Sequence, residues 1–259
     1  MKKKKCVSIL ITNYNKGNFL EKTINSCLTQ NFTNKEILVF DDCSTDNSIN
    51  LLKKFKKIKV LKNKKKKFKS GALNQIYGIN KLFKKSTGEI IFLLDGDDQF
   101  KRDKLNTIYK KFNKDKNLQF IQDRPFLKDI NTYMTLKRKN HHFLIWPSFY
   151  PTSCISIRRN FFNQFLKIVE KDKFLNLEID ARLAMFAFVK NKFFTLKDNL
   201  TIYNQDNEGI SSNYNKFSKN WWKKRNEAFT YLIFLKKKLN HKFFLGPDFF
   251  ITRLINLFF

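Results

Sequence analysis

Residues 90–98 have the sequence Ile-Ile-Phe-Leu-Leu-Asp-Gly-Asp-Asp, so an apolar run of five residues ends in three carboxylates. Five consecutive apolar residues predict a fully buried strand, with the acids at its carboxyl end. Ligands of open α/β sheets bind at that end of the strands. Because Asp95, Asp97 and Asp98 repel one another, we expect a divalent cation, which prefers oxygen ligands, to hold them together. The alternative is a polar turn in which Asp98 caps the next helix.

This acidic group stands out against a strongly basic chain. In 259 residues, 52 Lys and Arg outnumber 22 Asp and Glu, which gives a formal net charge of +30. Such a charge suggests a nucleic-acid-binding protein, but the lysines are spread along nearly every segment, and no helix-turn-helix, zinc-finger or RNP-like pattern occurs. We interpret the lysine runs at 53–57 and 62–69 as solvated faces and loops. A nucleic-acid-binding or anionic-surface-binding protein remains an alternative function, and a basic surface favours phosphate esters or acidic headgroups as partners.

The bulk composition predicts a folded protein in the cytoplasm. Hydrophobic residues make up 42% of the chain and aromatic residues 16%, which excludes a wholly disordered protein. No apolar stretch approaches the roughly 20 residues that a membrane-spanning helix needs. Residues 1–5 resemble the basic start of a signal peptide, but the apolar run after them is short and lacks a cleavage site. The four scattered cysteines predict free thiols rather than disulfides or a zinc site.

Upstream of the acidic strand, strand-like and helix-like segments alternate, which predicts a parallel sheet with crossover helices. The predicted strands cover residues 7–12, 36–40 and 58–61, and helices begin near residues 18, 48 and 72. Asn18 and Glu21 have the spacing of a capping box at the start of the first helix.

Downstream, the pattern is less regular. We predict strands at 118–122, 193–196 and 200–203, and a turn that leads into a strand over 151–157. We predict helices at 105–112, 161–166, 183–189 and 221–235. A tail rich in Phe and Lys follows the last helix. Because no repeat or Gly/Pro-rich linker interrupts the chain, we predict one α/β domain over residues 1–215 and a helical basic extension over residues 216–259.

Several motifs in this order resemble those of family 2 glycosyltransferases, inverting enzymes of the GT-A fold that are common in bacterial polysaccharide and glycoconjugate synthesis. They are VSILITNYN at 7–15, FDDCSTD at 40–46, ALN at 72–74, GEII at 88–91 and LDGDD at 94–98. The resemblance implies a Rossmann-like, mostly parallel sheet with flanking helices. It also divides the domain into a nucleotide-sugar-binding half, residues 1–100, and an acceptor-binding half, residues 101–215.

The resemblance implies transfer of a sugar from a nucleoside diphosphate sugar, with uridine as the expected nucleoside, to a hydroxyl of a glycan or lipid-linked acceptor. Mn²⁺ or Mg²⁺ on the diphosphate and a carboxylate general base would assist the transfer. A non-catalytic member that binds the donor without turnover is an alternative. A nucleotidyltransferase is a further rival, although residues 13–17 lack the Gly-rich loop that it would need.

The same resemblance assigns roles to five residues of the donor half. Asp42 would accept a hydrogen bond from N3–H of uracil, with Tyr14 stacked on the base and Thr12 nearby. Asp95 would contact the ribose or the metal, and Asp97 would bind the metal. The alternative for the Asp42 region is a structural role, as a capped turn that leads into the next helix.

The general base of this family is an acid in the second half of the chain. Asp180 is the first choice because it precedes an apolar helix and could project into the cleft, and Glu178 is the second. The alternative is that Asp180 caps its helix.

Two positions depart from the family pattern. Cys43 stands where a glycine is usual, which would strain the turn if that position needs a positive φ. The usual Tyr-Arg-x-His is replaced at residues 203–206, so Asp206 would have to take over the role of the histidine as metal ligand.

The tail after Leu239 could rest on an acidic membrane surface, pack on the core or form a dimer contact.

Overall fold

The computed structural model describes residues 6–136, 147–169, 174–204, 214–242 and 244–259, and within these ranges the chain forms nine strands and eight α-helices. The strands are β1 Val7–Asn13, β2 Lys35–Asp41, β3 Lys59–Lys62, β4 Ile90–Asp95, β5 Gln99–Phe100, β6 Phe120–Leu127, β7 Thr132–Tyr133, β8 Ile155–Arg158 and β9 Phe193–Tyr203. The helices are α1 Gly17–Leu28, α2 Ser48–Lys53, α3 Gly71–Lys85, α4 Lys104–Lys114, α5 Arg159–Val169, α6 Ile179–Val189, α7 Lys219–Leu239 and α8 Pro247–Ile255.

The strands form one mixed sheet in the order β3-β2-β1-β4-β8-β6-β9-β5, with β7 paired to β6. The four strands from β3 to β4 are parallel, as the alternating pattern predicts. Strand β8 runs antiparallel to both β4 and β6. In the parallel half, Thr12 is in register with Asp95, and Asn13 with Asp41. The carboxyl ends of β1, β2 and β4 therefore meet at one edge of the sheet.

Apolar side chains fill both faces of the sheet. Strand β4 contributes Ile91 and Leu93 to a core shared with α3, α5, α6 and α7. Its other apolar residues, Ile90, Phe92 and Leu94, enter a second core with α1, α2 and α4. A strand covered on both sides needs apolar residues at successive positions, which explains the uninterrupted run in the sequence.

The C-terminal part is helical, as predicted, and its first helix packs into the larger core. Phe229, Tyr231 and Leu232 of α7 are buried there. The boundary predicted at residues 215 and 216 stays a prediction. No helix in the described ranges is both long enough and apolar enough to cross a membrane.

Two local predictions were wrong. Helix α1 begins at Gly17, and neither Asn18 nor Glu21 forms the predicted capping box, because Asp46 Oδ2 accepts a hydrogen bond from Gly17 N at 2.7 Å instead. The segments predicted as two strands at 193–196 and 200–203 form the single strand β9. It pairs with β6 on both sides of a register shift between Asp123 and Pro125, so the polar residues in its middle mark an irregularity in pairing rather than a turn.

The loop after β2 contains a strained residue. Cys43 has φ = 62°, in the left-handed region, where glycine is favoured. The strain expected from the missing glycine is therefore present. The four cysteines are free thiols, as predicted.

Candidate active site

A cleft of about 650 Å³ opens at the carboxyl ends of β1, β2 and β4 and is closed on the far side by the first turns of α6 and α7. Seven of the residues singled out in the sequence line it: Thr12, Tyr14, Asp42, Asp95, Asp97, Glu178 and Asp180. Asp206 lies outside the described residues. The predicted site residues that the structure describes therefore share one cavity, although they come from distant parts of the chain.

Asp95 is fixed at the end of β4 by three hydrogen bonds. Its Oδ1 accepts from Thr12 Oγ1 at 3.0 Å and from Gln75 Nε2 at 2.8 Å. Its backbone N–H donates to Ser153 Oγ at 3.0 Å. Burial, and secondarily the charge of Asp97, raises the pKa of Asp95 to about 6. A cation near this carboxylate would offset both causes.

Gly96 lets the acidic turn approach β1 closely. A Cβ at this position would lie 2.7 Å from Asn13 Oδ1 and 3.2 Å from the backbone oxygen of Thr12. Thr23 Oγ1 also donates a hydrogen bond to Gly96 O at 2.9 Å. A side chain here would push Asp95 and its neighbours away from β1, so the glycine between the acids has a packing reason.

Asp97 is paired with a lysine inside the cleft. Lys16 Nζ lies 3.0 Å from Asp97 Oδ2, and the two side chains are only 15% and 14% exposed. Lys16 comes from the loop between β1 and α1, directly after the Asn-Tyr-Asn segment. The ammonium group thus lies beside the carboxylate that the sequence predicts as a metal ligand.

The oxygen ligands in the cleft suit a metal ion that completes its coordination with atoms of a bound substrate. Among the described side chains, no group of three or more His, Cys, Asp or Glu is arranged to hold an ion. Two carboxylates, Asp95 and Asp97, are nevertheless what Mg²⁺ commonly uses together with phosphate oxygens and water. Asn13 Oδ1 and Gln75 Oε1 are buried acceptors in the same cleft that receive no hydrogen bond within the described part of the chain. The site therefore fits a metal and a ligand that carries hydrogen-bond donors.

The surroundings of Asp98 indicate a structural role. It is 1% exposed and does not line the cleft; its two oxygens accept hydrogen bonds from Ser153 Oγ and from the backbone N–H of Asn204. Burial, together with Asp97 and Asp95, raises its pKa well above the ordinary value. The alternative role of Asp98 as a helix cap is excluded, because α4 begins at Lys104 and Asp103 is its N-cap residue. Asp98 ties the acidic turn to the end of β9.

A buried ion pair supports this turn from below. Lys104 Nζ lies 2.6 Å from Asp123 Oδ1, and both side chains are fully buried. The same ammonium donates to the backbone oxygen of Ser153 at 2.8 Å and to Thr201 Oγ1 at 2.6 Å. Because Ser153 also binds Asp95 and Asp98, the pair helps to hold the acidic turn in position.

The nucleotide-facing residues predicted from the sequence lie in the same cleft. Asp42 is 8% exposed, and its Oδ1 accepts from Asn63 Nδ2 at 3.0 Å. Tyr14 is 43% exposed, with Lys66 Nζ 3.4 Å from the centre of its ring. The turn-forming role belongs to the preceding residue: Asp41 accepts hydrogen bonds from Ser44 N and Asn13 Nδ2. Lys66, interpreted from the sequence as a solvated loop residue, covers one face of Tyr14.

The two acids at the start of α6 differ in their partners. Glu178 is ion-paired with Lys224 of α7. Asp180 lies in the first turn, and its Oδ1 accepts a hydrogen bond from the neighbouring Ala181 N at 2.7 Å; the residue before the helix is Glu178, so Asp180 is not its N-cap. Burial, and secondarily the charge of Glu178, raises the pKa of Asp180 to about 7. A carboxylate with such a pKa can accept a proton near neutral pH.

Comparison with known proteins identifies the family. The profile described as "Glycosyl transferase family 2" matches residues 8–174, which is more than half of the chain. The chain belongs to glycosyl transferase family 2.

Individual relatives agree with this membership. The poly(ribitol-phosphate) β-N-acetylglucosaminyltransferase TarP of Staphylococcus aureus is 32% identical over 121 residues, covering 45% of this chain and 36% of TarP. The chain spans less than half the length of the curated relatives that it matches.

Solved structures show the fold. The crystal structure of S. aureus TarS 1–349 in complex with UDP-GlcNAc has a TM-score of 0.64 and 15% identity, covering 96% of this family 2 chain and 70% of that chain. The mannosyltransferase PcManGT from Pyrobaculum calidifontis, in complex with GDP-Man and Mn²⁺, has a TM-score of 0.60 and 15% identity, covering 98% and 70%. The predicted GT-A fold is confirmed.

Sequence reasoning missed several residues of this family 2 cleft. Gln75 of α3 holds Asp95, and Trp221, Lys224 and Arg225 of α7 line the far wall. Lys16 could have been found from its position next to the first strand's carboxyl end. The α7 residues had no such signal, because nothing in the local sequence tells which helix reaches back over the cleft.

Proposed function

We propose that this glycosyltransferase moves a sugar from a uridine diphosphate sugar to a hydroxyl group of a glycan or lipid-linked acceptor, with inversion at the anomeric carbon. The observation that supports the proposal is the convergence of Asp42, Asp95, Asp97 and Asp180 on one cleft of about 650 Å³. A cleft of this size suits a nucleotide sugar. The cytoplasmic location predicted from the sequence belongs to the same proposal.

The nucleoside would be bound by the loops after β1 and β2. Asp42, a partly satisfied acceptor, would receive a hydrogen bond from N3–H of uracil. Tyr14 would stack on the base through the ring that Lys66 now covers, so the lysine would move aside or pair with a phosphate. Thr12 and Asp95, already hydrogen-bonded to each other, would contact the ribose.

Asp95 and Asp97 would hold Mn²⁺ or Mg²⁺, with Asp206 as a further ligand. When bound, the ion supplies positive charge to the departing diphosphate. Lys16, whose ammonium lies 3.0 Å from Asp97, would be released from that carboxylate by the ion and would supply a second positive charge to the diphosphate.

Asp180 would act as the general base. It would take the proton of the acceptor hydroxyl as that oxygen bonds to the anomeric carbon, while the bond from this carbon to the diphosphate oxygen breaks on the opposite face. A pKa of about 7 suits this role. Glu178 is the weaker candidate because its carboxylate is engaged by Lys224.

The proposal can be tested with a panel of UDP- and GDP-linked sugars in the presence of Mn²⁺ or Mg²⁺, measured by thermal shift and by release of nucleoside diphosphate. Asp97→Asn should abolish the metal-dependent shift. Asp180→Asn should keep the shift but lose about 10²- to 10⁴-fold in turnover, which is the usual contribution of a general base. Asp115→Asn, at an exposed position directly after α4, is the matched control and should behave as wild type.

Two results would contradict the proposal. A lack of stabilisation by every nucleotide sugar would exclude donor binding. Unchanged turnover in Asp180→Asn would remove this residue as the base.

A donor-binding protein without turnover is the second candidate, and the Lys16–Asp97 pair favours it because an ammonium already neutralises the metal-binding carboxylate. This candidate predicts a thermal shift by the donor that is independent of added metal, and no release of nucleoside diphosphate by wild type.

A further inference from the structure

Helix α8 directs its polar residues toward the protein. Arg225 of α7 donates to Asp248 Oδ2 at 2.9 Å and to Thr252 Oγ1 at 2.9 Å. Both α8 residues are buried, at 8% and 0% exposure. These contacts fix the rotation of the helix about its own axis. Its remaining side must therefore face outward.

That outward side is apolar. Phe250, Ile251 and Leu254 are exposed on α8, and Leu257 and Phe258 follow in the next turn, each 80% exposed. We call these five residues the apolar face of α8. A surface helix of a globular protein normally buries its apolar stripe. In α8, Phe249 packs against the core, whereas these residues are left exposed. Contiguous exposed apolar patches mark interaction sites.

Aromatic residues of α7 extend the same surface. Asn256 Nδ2 donates to the backbone oxygen of Trp222 at 3.1 Å, which joins the end of α8 to the start of α7. Trp222 packs edge-on against Trp221 at 4.7 Å between ring centres, and the exposed Phe217 contacts both rings. Tryptophan is enriched at the interface between membrane and water, where its ring meets both environments.

Positive charge surrounds this surface. Residues 214–259 contain ten Lys or Arg and two Asp or Glu. Both acids are engaged, Asp248 by Arg225 and Glu227 by the backbone and side chain of Asn176. Lys216, Lys219 and Lys223 are exposed near the start of α7, and the rest of the protein is also basic. The surface therefore attracts anions and repels other positively charged surfaces.

We propose that the apolar face of α8 docks on a lipid bilayer that contains anionic phospholipids, with Phe250, Ile251 and Leu254 entering the boundary of the acyl chains and the lysines of α7 contacting phosphates. Apolar burial and headgroup attraction together provide the two signals that stable peripheral binding needs. Charge decides against a second copy of the chain as the occupant, because two such faces would bring like charges together.

The docked face lies next to the cleft. Trp221 contacts the aromatic residues of this surface, and both Trp221 and Arg225 line the cleft. Docking would therefore hold the α7 side of the cleft at headgroup level, where a lipid-linked acceptor presents its hydroxyl. This last step rests on the proposed function; the docking itself does not.

The experiment is flotation of the full chain with vesicles of phosphatidylcholine alone or with about 30 mol% phosphatidylglycerol, at low and at high salt. Wild type should bind the anionic vesicles and lose binding as salt rises. The triple variant Phe250→Ser, Ile251→Ser, Leu254→Ser should bind at least about tenfold more weakly, since three apolar side chains no longer enter the bilayer. Because all three are exposed, thermal unfolding should remain close to wild type.

Two matched controls separate this face from unspecific adsorption. Ile130→Ser with Phe194→Ser removes exposed apolar residues elsewhere and should leave binding unchanged. Lys64→Ser, Lys65→Ser and Lys67→Ser should weaken binding less than Lys216→Ser, Lys219→Ser and Lys223→Ser, which remove the same charge beside α8.

The docking proposal is overturned if wild type does not float with anionic vesicles, or if the α8 triple variant floats as well as wild type. It is also overturned if sedimentation equilibrium shows a dimer that the α8 triple variant dissociates. Thermal shift by nucleotide sugars does not depend on lipid, so failure of docking and failure of the proposed function are distinguishable.

Discussion

The pair formed by Lys16 and Asp97 gives a prediction about metal affinity. If Asp97 is a metal ligand, a metal ion must compete with the ammonium group that lies 3.0 Å from its Oδ2. Lys16→Met keeps much of the side-chain length and removes the charge. We therefore expect Lys16→Met to bind Mn²⁺ more tightly than wild type in the absence of a donor.

The size of the effect follows from the burial of the pair. Coulomb attraction at this distance is about 5 kcal/mol in an effective dielectric of about 20, but desolvation and ordering offset most of it, and exposed pairs contribute about 0–1 kcal/mol. Because the two side chains are only 15% and 14% exposed, we expect a value somewhat above that range. About 1–2 kcal/mol corresponds to Mn²⁺ binding about 5- to 30-fold tighter.

The measurement is a Mn²⁺ titration followed by water-proton relaxation, without nucleotide. Lys69→Met is the control, because Lys69 lines the same cleft and the substitution changes the net charge equally; its Mn²⁺ affinity should stay within about twofold of wild type. Asp97→Asn should abolish the high-affinity binding. Weaker or unchanged binding in Lys16→Met would refute the reasoning, and an equal gain in Lys69→Met would mean that the overall charge, not the pair, is responsible.

Three further predictions concern stability and pH. Cys43→Gly should stabilise the fold by about 0.5–1 kcal/mol in urea denaturation, since relief of the left-handed strain exceeds the extra entropy of an unfolded glycine; Cys43→Ala, which keeps the strain, should show no gain. Lys104→Met should lower the free energy of unfolding by about 3–5 kcal/mol because it leaves Asp123 buried without its partner. The further change Asp123→Leu should recover part of that loss; two losses that simply add would contradict this reasoning. If Asp180 is the base, kcat/KM should rise with pH through about 7, where Asp180 loses its proton. Glu178→Gln removes a neighbouring negative charge and should move this rise to lower pH; an unshifted pH profile would speak against Asp180.

The raised pKa of Asp180 also has a consequence for stability. Between the ordinary pKa of an aspartate and about 7, the folded protein binds more protons than the unfolded chain. The free energy of unfolding should therefore fall as pH rises through this interval. Asp180→Asn removes this dependence, so its melting temperature relative to wild type should be higher at pH 8 than at pH 4. An equal difference at both pH values would argue that Asp180 titrates normally.

The sequence alone determined the parallel half of the sheet and the edge where its acids meet. The five apolar residues of β4 point alternately into two cores. A strand that is covered on both faces needs an uninterrupted apolar run, and such a run can be recognised without knowing the rest of the fold. Thr12 and Asp95 lie at the carboxyl ends of buried strands and Asp42 directly follows one, so parallel pairing brings them to the same edge. These features depend on the spacing of apolar residues within each segment and on the order of the segments along the chain, and both can be read from the sequence.

The tertiary structure decided which side chains the acids meet. Lys16 beside Asp97, Lys66 over Tyr14 and Lys224 beside Glu178 are contacts between residues far apart in the chain, and each lysine looks like any other in a sequence so rich in them. The rotation of α8 was likewise hidden: its composition is amphipathic, but the pairing of Asp248 with Arg225 of α7 turned the polar side inward. A local pattern shows that a helix has two faces, whereas the partner packed against it determines which face is left to the solvent.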